Sequence, residues 1–200
     1  MQYFHINHTT DYSGYRAISV GDILETSREG FNPYFRNTLN GPKKFNLSDK
    51  ESLPILDFFR RLSLGELDNY KQLMNHREVA RYSFQFLSSF IKITREMHFE
   101  NVRVRNFSEL PSRQHCIWLA ESLEDAQYWK ERLVGRVNCR IFRVEVDGSV
   151  FRTNEGHLIQ EAEPFEITIQ RAKDYWNGRP SNGRNEVLFE GSLRVLEQVD

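Results

Sequence analysis

Four residues spread along this 200-residue chain carry groups that can act on a ribosyl bond. Glu186 opens the last apolar run, Arg184-Asn185-Glu186-Val187-Leu188-Phe189-Glu190-Gly191. His5 lies in the first such run, Tyr3-Phe4-His5-Ile6-Asn7. Trp118 and Tyr128 come in the middle, in Ile117-Trp118-Leu119-Ala120-Glu121-Ser122 and Ala126-Gln127-Tyr128. A carboxylate stabilises the positive charge that grows when a glycosidic bond breaks, and it can activate the incoming acceptor. An imidazole can hydrogen-bond a ribose hydroxyl, and flat rings offer a heterocyclic leaving group a stacking surface. Taken singly, each residue also reads as an ordinary packed or surface side chain. Only the joint order, histidine early, aromatics in the middle and glutamate late, points to chemistry on a dinucleotide.

These side chains need elements to position them. Residues 2–7 read as a strand, and Tyr12-Ser13-Gly14-Tyr15 with the run Ile18 to Leu24 as a loop and short strand with a turn at Gly21. Gly30, Pro33, Gly41 and Pro42 mark residues 25–50 as a long surface loop, a length typical of binding loops and lids. Ser52 as N-cap, an early-helix Pro54, and Leu56, Phe59 and Leu62 predict a helix, with a second short one over 64–74. Val79, Ala80, Phe84, Leu87, Phe90, Ile91 and Thr94 follow the 3.6-residue period and predict a long helix over 76–97. After Asn101 the pattern turns to strands at 116–119, 139–146, 151–152, 165–169, 187–189 and 193–196. Between them come a helix at 123–133, a short helix or turn at 172–176 and a loop at 178–183. The expected fold is α+β in one domain, 1–200, with residues 51–100 as its helical segment.

Bulk properties exclude several classes. Lys+Arg 27 against Asp+Glu 28 leaves a net charge of −1, so there is no polybasic tail, though a local basic face is compatible with it. Arg103, Arg105 and Arg113, and Arg132, Arg136, Arg140 and Arg143, cluster mildly; such groups form solvated faces or phosphate tracks. No stretch is long and apolar enough to span a bilayer, and the N-terminus lacks a secretion signal, so the expectation is cytoplasmic with no membrane partner. Cys116 and Cys139 are too few for a disulfide scaffold or zinc cluster and read as buried free thiols. His8, His76, His98, His115 and His157 show no metal-ligand spacing, and no metal is expected. There is no phosphate-binding glycine loop and no Gly-x-Ser-x-Gly elbow.

The quoted segments resemble the ADP-ribosyltransferase superfamily, in its His–Tyr–Glu branch that includes diphtheria toxin and the poly(ADP-ribose) polymerases. Ile117 to Glu121 resembles the Gly-Ile-Tyr-Phe-Ala-Asp segment of the polymerases. Ala126-Gln127-Tyr128 resembles their Ser-Ala-Asn-Tyr, and Asn185 to Phe189 their Asn-Glu-Tyr-Ile-Val. Pro111-Ser112-Arg113 looks like a feature of uncharacterised bacterial toxins of this type. The likeness covers the sheet core and leaves out residues 25–110. It implies a split β-sheet core with a helical insertion between the first and middle strands.

The resemblance also implies NAD as co-substrate and Glu186 as the catalytic carboxylate. His5, the backbone at Ile6, Trp118, Tyr128 and Arg113 would stand on the cofactor side. Three departures bear on this. Ile6 replaces the glycine that often follows the histidine, Trp118 replaces the motif tyrosine, and Arg184 stands where transferases that modify arginine or asparagine carry Glu or Gln. An arginine there suits an anionic neighbour, so Arg184 is expected on the acceptor side and nucleic acid (RNA or DNA) ranks slightly above protein as acceptor. The resemblance thus implies a bacterial mono-ADP-ribosyltransferase toxin of a toxin–antitoxin or phage-defence system, with an antitoxin as a candidate partner and residues 25–100 available for substrate or partner selection. NAD hydrolysis, an RNA 2'-phosphotransferase-like reaction and a non-catalytic binding module remain the alternatives.

Overall fold

Side-chain alternation decides how the sheet is built. The structure, a computed structural model, describes residues 2–9, 16–27, 29–39, 44–48, 50–67, 75–133, 139–159 and 161–200. Strand β1 (Gln2–Asn7) pairs antiparallel with β6 (Arg140–Asn154), which pairs along its length with β7 (Asn185–Gln198). The far edge of β7 carries β2 (Ile23–Glu25) near its C-terminal half and β5 (Ile117–Leu119) near its start. Just past β5, Ala120 exchanges both backbone hydrogen bonds with Phe4 of β1. The path β1–β6–β7–β5 therefore closes on itself.

Closure gives the sheet an inside and an outside. Tyr3, Leu119, Phe142, Val144, Val187, Phe189, Leu193 and Val195 alternate onto the inner face and form the main apolar cluster. The outer face is covered by helices. Phe4, Ile6, Ala120 and Ile141 pack under α4 (Leu123–Arg132), which Ser122 caps by accepting from the Asp125 N–H. Phe151, Trp118 and Leu188 pack against α3 (His76–Asn106) and α5 (Phe165–Trp176). Asn75 and Glu78 close the start of α3 with a reciprocal capping box. A smaller cluster joins α2 (Ile55–Ser63) to the hairpin of β3 (Lys44–Asn46) and β4 (Ser52–Pro54).

The mixed α+β class agrees with the sequence, but several elements differ. Residues 165–169 alternate like a strand, yet they begin α5: the helical period continues into Ala172, Tyr175 and Trp176, all fully buried against α3. The strand pieces at 139–146 and 151–152 are one strand, β6, and those at 187–189 and 193–196 are one strand, β7. Helix α3 runs on to Asn106, past the change expected after Asn101. The segment 25–50 holds α1 (Pro33–Leu39) and β3 besides loop. Ser52 lies in β4, and α2 starts directly after Pro54. Residues 64–67 form a turn; 12–15, 41–42 and 68–74 lie outside the described residues.

Where β6 and β7 pair at Gly148 and Gly191, both residues sit at positive φ, 150° and 146°. A Cβ on Gly148 would run into the carbonyl oxygen of Glu190 and lie 2.8 Å from the Gly191 Cα. Only residues without a Cβ allow the two long strands to approach this closely at positive φ. Gly148→Ala is expected to lower the unfolding free energy by at least about 2 kcal/mol in urea titrations, with Ser149→Ala as a near-neutral control.

Candidate functional site

The strands expected to carry the site are neighbours. β5 lies between β7 and the end of β1, so the Glu186, Trp118 and His5 segments adjoin. Register decides what their side chains share. Trp118 pairs with Leu188, and Glu186 lies two residues before Leu188, so Trp118 and Glu186 point to the same, outer face. His5 alternates with Phe4 and pairs with Phe142 of the inner cluster, so its imidazole lies on the other face. The structure therefore does not set the His5 side chain beside the Glu186 carboxylate.

His5 instead reaches across to β5, where its Nδ1 lies 3.1 Å from the Trp118 carbonyl oxygen. With a carbonyl as partner, Nδ1 must carry the proton. Phe4 spends its backbone bonds on Ala120, so alternation turns the Ile6 backbone groups to the same edge. No further bridge joins β1 to β5 there among the described residues. The closed sheet is thus split between Ile6 and Trp118, with the His5 imidazole at the opening.

Glu186 stands in a buried charge cluster. Its Oε1 accepts hydrogen bonds from the Arg113 guanidinium and from the Tyr175 hydroxyl, while Oε2 takes none from the described residues. Arg113 turns its Nε to Glu96 Oε2 at 2.8 Å and its Nη1 also to the Tyr175 oxygen at 2.5 Å. Glu96, on α3, accepts from Arg95 at 2.5 Å, and Arg95 in turn donates to the carbonyls of Leu158 and Ile159 at 3.0 and 3.3 Å. Exposures of 7% for Arg95, 1% for Glu96, 5% for Arg113 and 6% for Glu186 make this an interior cluster of two cations and two anions. Asn32 anchors the turn that carries Arg113, donating to the Arg113 and Cys116 carbonyls at 2.8 and 3.2 Å while capping α1.

Burial and pairing set the protonation states. Burial would lower the Arg113 guanidinium, but the Glu186 and Glu96 carboxylates hold it well above its ordinary value. Burial would raise Glu96, yet Arg113 and Arg95 hold it low. Burial pushes the Tyr175 hydroxyl well up, so it stays a proton donor to Glu186. Burial also pushes the Cys116 thiol well up, which leaves it no nucleophile. Arg113 was expected to face a cofactor; with its nitrogens committed to Glu96, Glu186 and Tyr175, it holds the carboxylate instead.

Tyr128 and Arg184 form a second group. The Arg184 guanidinium lies 5.0 Å from the centre of the Tyr128 ring and Arg132 lies 5.6 Å from it. The Tyr128 hydroxyl donates to Glu155 at 2.8 Å. With Asn182, Gly183 and Leu158 they line a cavity of about 580 Å³ at the mouth of β7. Two cations thus approach the ring, where an open stacking surface was expected. Trp118 meets Tyr34 edge-on at 5.4 Å and has Arg113 over its ring at 5.9 Å.

Sequence reading missed Arg95, Glu96, Tyr175 and Tyr34. A signal for the first two existed: Arg95 shares a helical face with Phe99 and Val102, at spacings of four and seven. The expected arginine track is largely spoken for, with Arg103 on Glu100, Arg132 on Glu155 and Arg143 on Glu197; Arg136 lies outside the described residues. Among the described residues no group of three or more His, Cys, Asp or Glu could hold a metal ion, and no described helix is long and apolar enough to cross a membrane.

The model of a family described as "Protein of unknown function (DUF2441)" matches residues 3–200, and the chain belongs to that family. No curated protein matches the chain.

Two outcomes follow from this geometry. Arg113→Met leaves two buried carboxylates without their shared counter-charge and should cost about 3–5 kcal/mol in denaturant unfolding. Burial, opposed by the bond to Trp118, lowers the His5 pKa from its ordinary 6.5. Below pH 6.5 the unfolded chain takes up a proton while the folded protein keeps His5 neutral, so this contribution is complete above pH 6.5 and is lost progressively as pH falls from there through the lowered folded-state pKa. His5→Asn, which can still donate to the Trp118 carbonyl, should show a flatter fall in unfolding free energy than wild type from near pH 7.5 to near pH 5.5.

Proposed function

We propose that this member of the DUF2441 family is an NAD-dependent mono-ADP-ribosyltransferase with Glu186 as its reacting carboxylate. One observation carries the reading: Glu186 is fixed through Oε1 by Arg113 and Tyr175, while Oε2 is left for another donor. A carboxylate held this way is suited to a ribose hydroxyl, where its charge stabilises an oxocarbenium-like centre with little reorganisation. The split between β1 and β5 lends support, because Ile6 backbone groups and the Trp118 carbonyl face each other there beside the Glu186 strand.

In this reaction the bond between nicotinamide nitrogen and ribose C1' breaks, and nicotinamide leaves with the bonding pair. The acceptor's lone pair then forms the new bond to C1', and its proton passes to Glu186 or to solvent. His5 acts through the split and the Trp118 carbonyl, on the face away from the carboxylate. Tyr128, flanked by Arg132 and Arg184, belongs to the groove at the mouth of β7. Arg132 is held by Glu155, but Arg184 meets Glu124 and Asp125 only at 3.4 Å and is half-exposed, so it can turn to an acceptor phosphate, which keeps nucleic acid ahead of protein. A toxin held in check by an antitoxin is the biological setting that fits such an activity.

Incubation with NAD labelled in its adenylate part, with separate RNA, DNA and protein pools, tests the proposal. Label in a nucleic-acid pool is the expected result, free ADP-ribose alone would make the chain an NAD glycohydrolase, and unconsumed NAD would refute both. Glu186→Gln keeps the shape but loses the charge, so turnover should fall by about two to three orders of magnitude with NAD still bound.

A further inference from the structure

The helical insertion reaches into the cluster around Glu186 through two consecutive residues, Arg95 and Glu96. Glu96 is among the most completely buried charged side chains described, at 1% exposure, and touches nothing that a substrate would touch. Its two oxygens take the Nε edge of the Arg113 fork, with Nε at 2.8 Å on Oε2 and Nη2 at 3.4 Å on Oε1. Only Nη1 is then left to turn toward Glu186 and Tyr175.

An arginine beside a carboxylate normally pairs with both of its oxygens, fork to fork. Such a pair would occupy Oε1 and Oε2 of Glu186 together and leave it no oxygen for a ribose hydroxyl. We infer that Glu96 is a positioning residue: by occupying the Nε edge of Arg113, it restricts that arginine to one oxygen of Glu186 and keeps the other available. Arg95 completes the device. It neutralises Glu96 and ties it to the Leu158 and Ile159 carbonyls, so the Glu96 carboxylate cannot swing toward solvent. This inference rests on Glu186 being the reacting carboxylate.

The test is Glu96→Gln, whose side chain has one acceptor oxygen and an NH2 group that repels the guanidinium. The expected result is an Arg113 that turns and pairs with both oxygens of Glu186, seen in a crystal structure of the variant. In NAD turnover, kcat should fall about tenfold to a hundredfold with KM for NAD unchanged, because no substrate contact is lost. In a Glu186→Gln background the same substitution should cost no further turnover.

An Arg113 that stays on one oxygen of Glu186 in the variant overturns the inference. So does an equal loss in both Glu186 backgrounds, which would mark Glu96 as a packing residue. Glu96→Asp keeps the charge, and a crystal structure and kcat between wild type and Glu96→Gln are expected for it. If Glu96→Gln does not fold, Glu96→Asp decides alone: a wild-type kcat together with an unchanged Arg113 overturns the inference. The Arg113 geometry is read independently of activity, so a protein that leaves NAD untouched but shows the turned Arg113 refutes the transferase reading, and with it any catalytic purpose, while the restriction of Arg113 to one oxygen by Glu96 stands.

Discussion

The rest of the molecule depends on one interaction, the pairing of buried Arg113 with Glu96 on one side and Glu186 on the other. Taking an ion out of water costs several kcal/mol after relaxation, so four charged side chains can share an interior only if they neutralise one another in good geometry. Here Arg95 and Arg113 balance Glu96 and Glu186, and Tyr175 fills a remaining hydrogen-bonding position. The partners come from α3, α5, the turn before β5 and the start of β7. None of these elements can shift without exposing a charge to a partnerless interior. This constraint holds the outer helices in register with the sheet.

The sheet meets the same constraint from the other side. Its inner face is filled by apolar side chains, and closure through the bridge between Phe4 and Ala120 protects the edges of β1 and β5. Closure is incomplete. Beyond that bridge the two strands part, and the opening begins at Trp118, level with Leu188 and two residues along β7 from Glu186. Closure that stops short leaves, among the described residues, a seam between Ile6 and Trp118 where backbone groups are not spent on a strand ladder.

Much of this was legible along the chain. The strand at residues 2–7, the helix over 123–132, the Glu186 strand and the long α3 all follow from period and capping. Which stretch of α3 is buried was not legible. The apolar set that revealed its period includes Phe84, Leu87 and Phe90, which are 70%, 55% and 59% exposed, whereas the side chains it buries include Arg95 and Glu96. Periodicity shows that a helix has faces and says nothing of how far along its length a face is covered: Phe84 and Val102 lie about five turns apart on one face, yet Phe84 is exposed and Val102 buried. The five residues 165–169 failed for a related reason. Their alternation is real but short, and burial of Ala172, Tyr175 and Trp176 beneath α3 outweighs it.

The sequence by itself determined the kinds of groups present and the strands that carry them, because side-chain chemistry and the two- and 3.6-residue periods are local properties. Only the tertiary structure decided which groups meet. The pairing of Trp118 with Leu188 puts Trp118 on the Glu186 face, and the pairing of His5 with Phe142 turns the imidazole to the other. A one-residue change of register would reverse either assignment, since alternate residues face opposite sides of a strand. Arg113 passes from a surface cation to the buried partner of two carboxylates for the same reason: the residues that pay its desolvation lie 17 and 73 positions away.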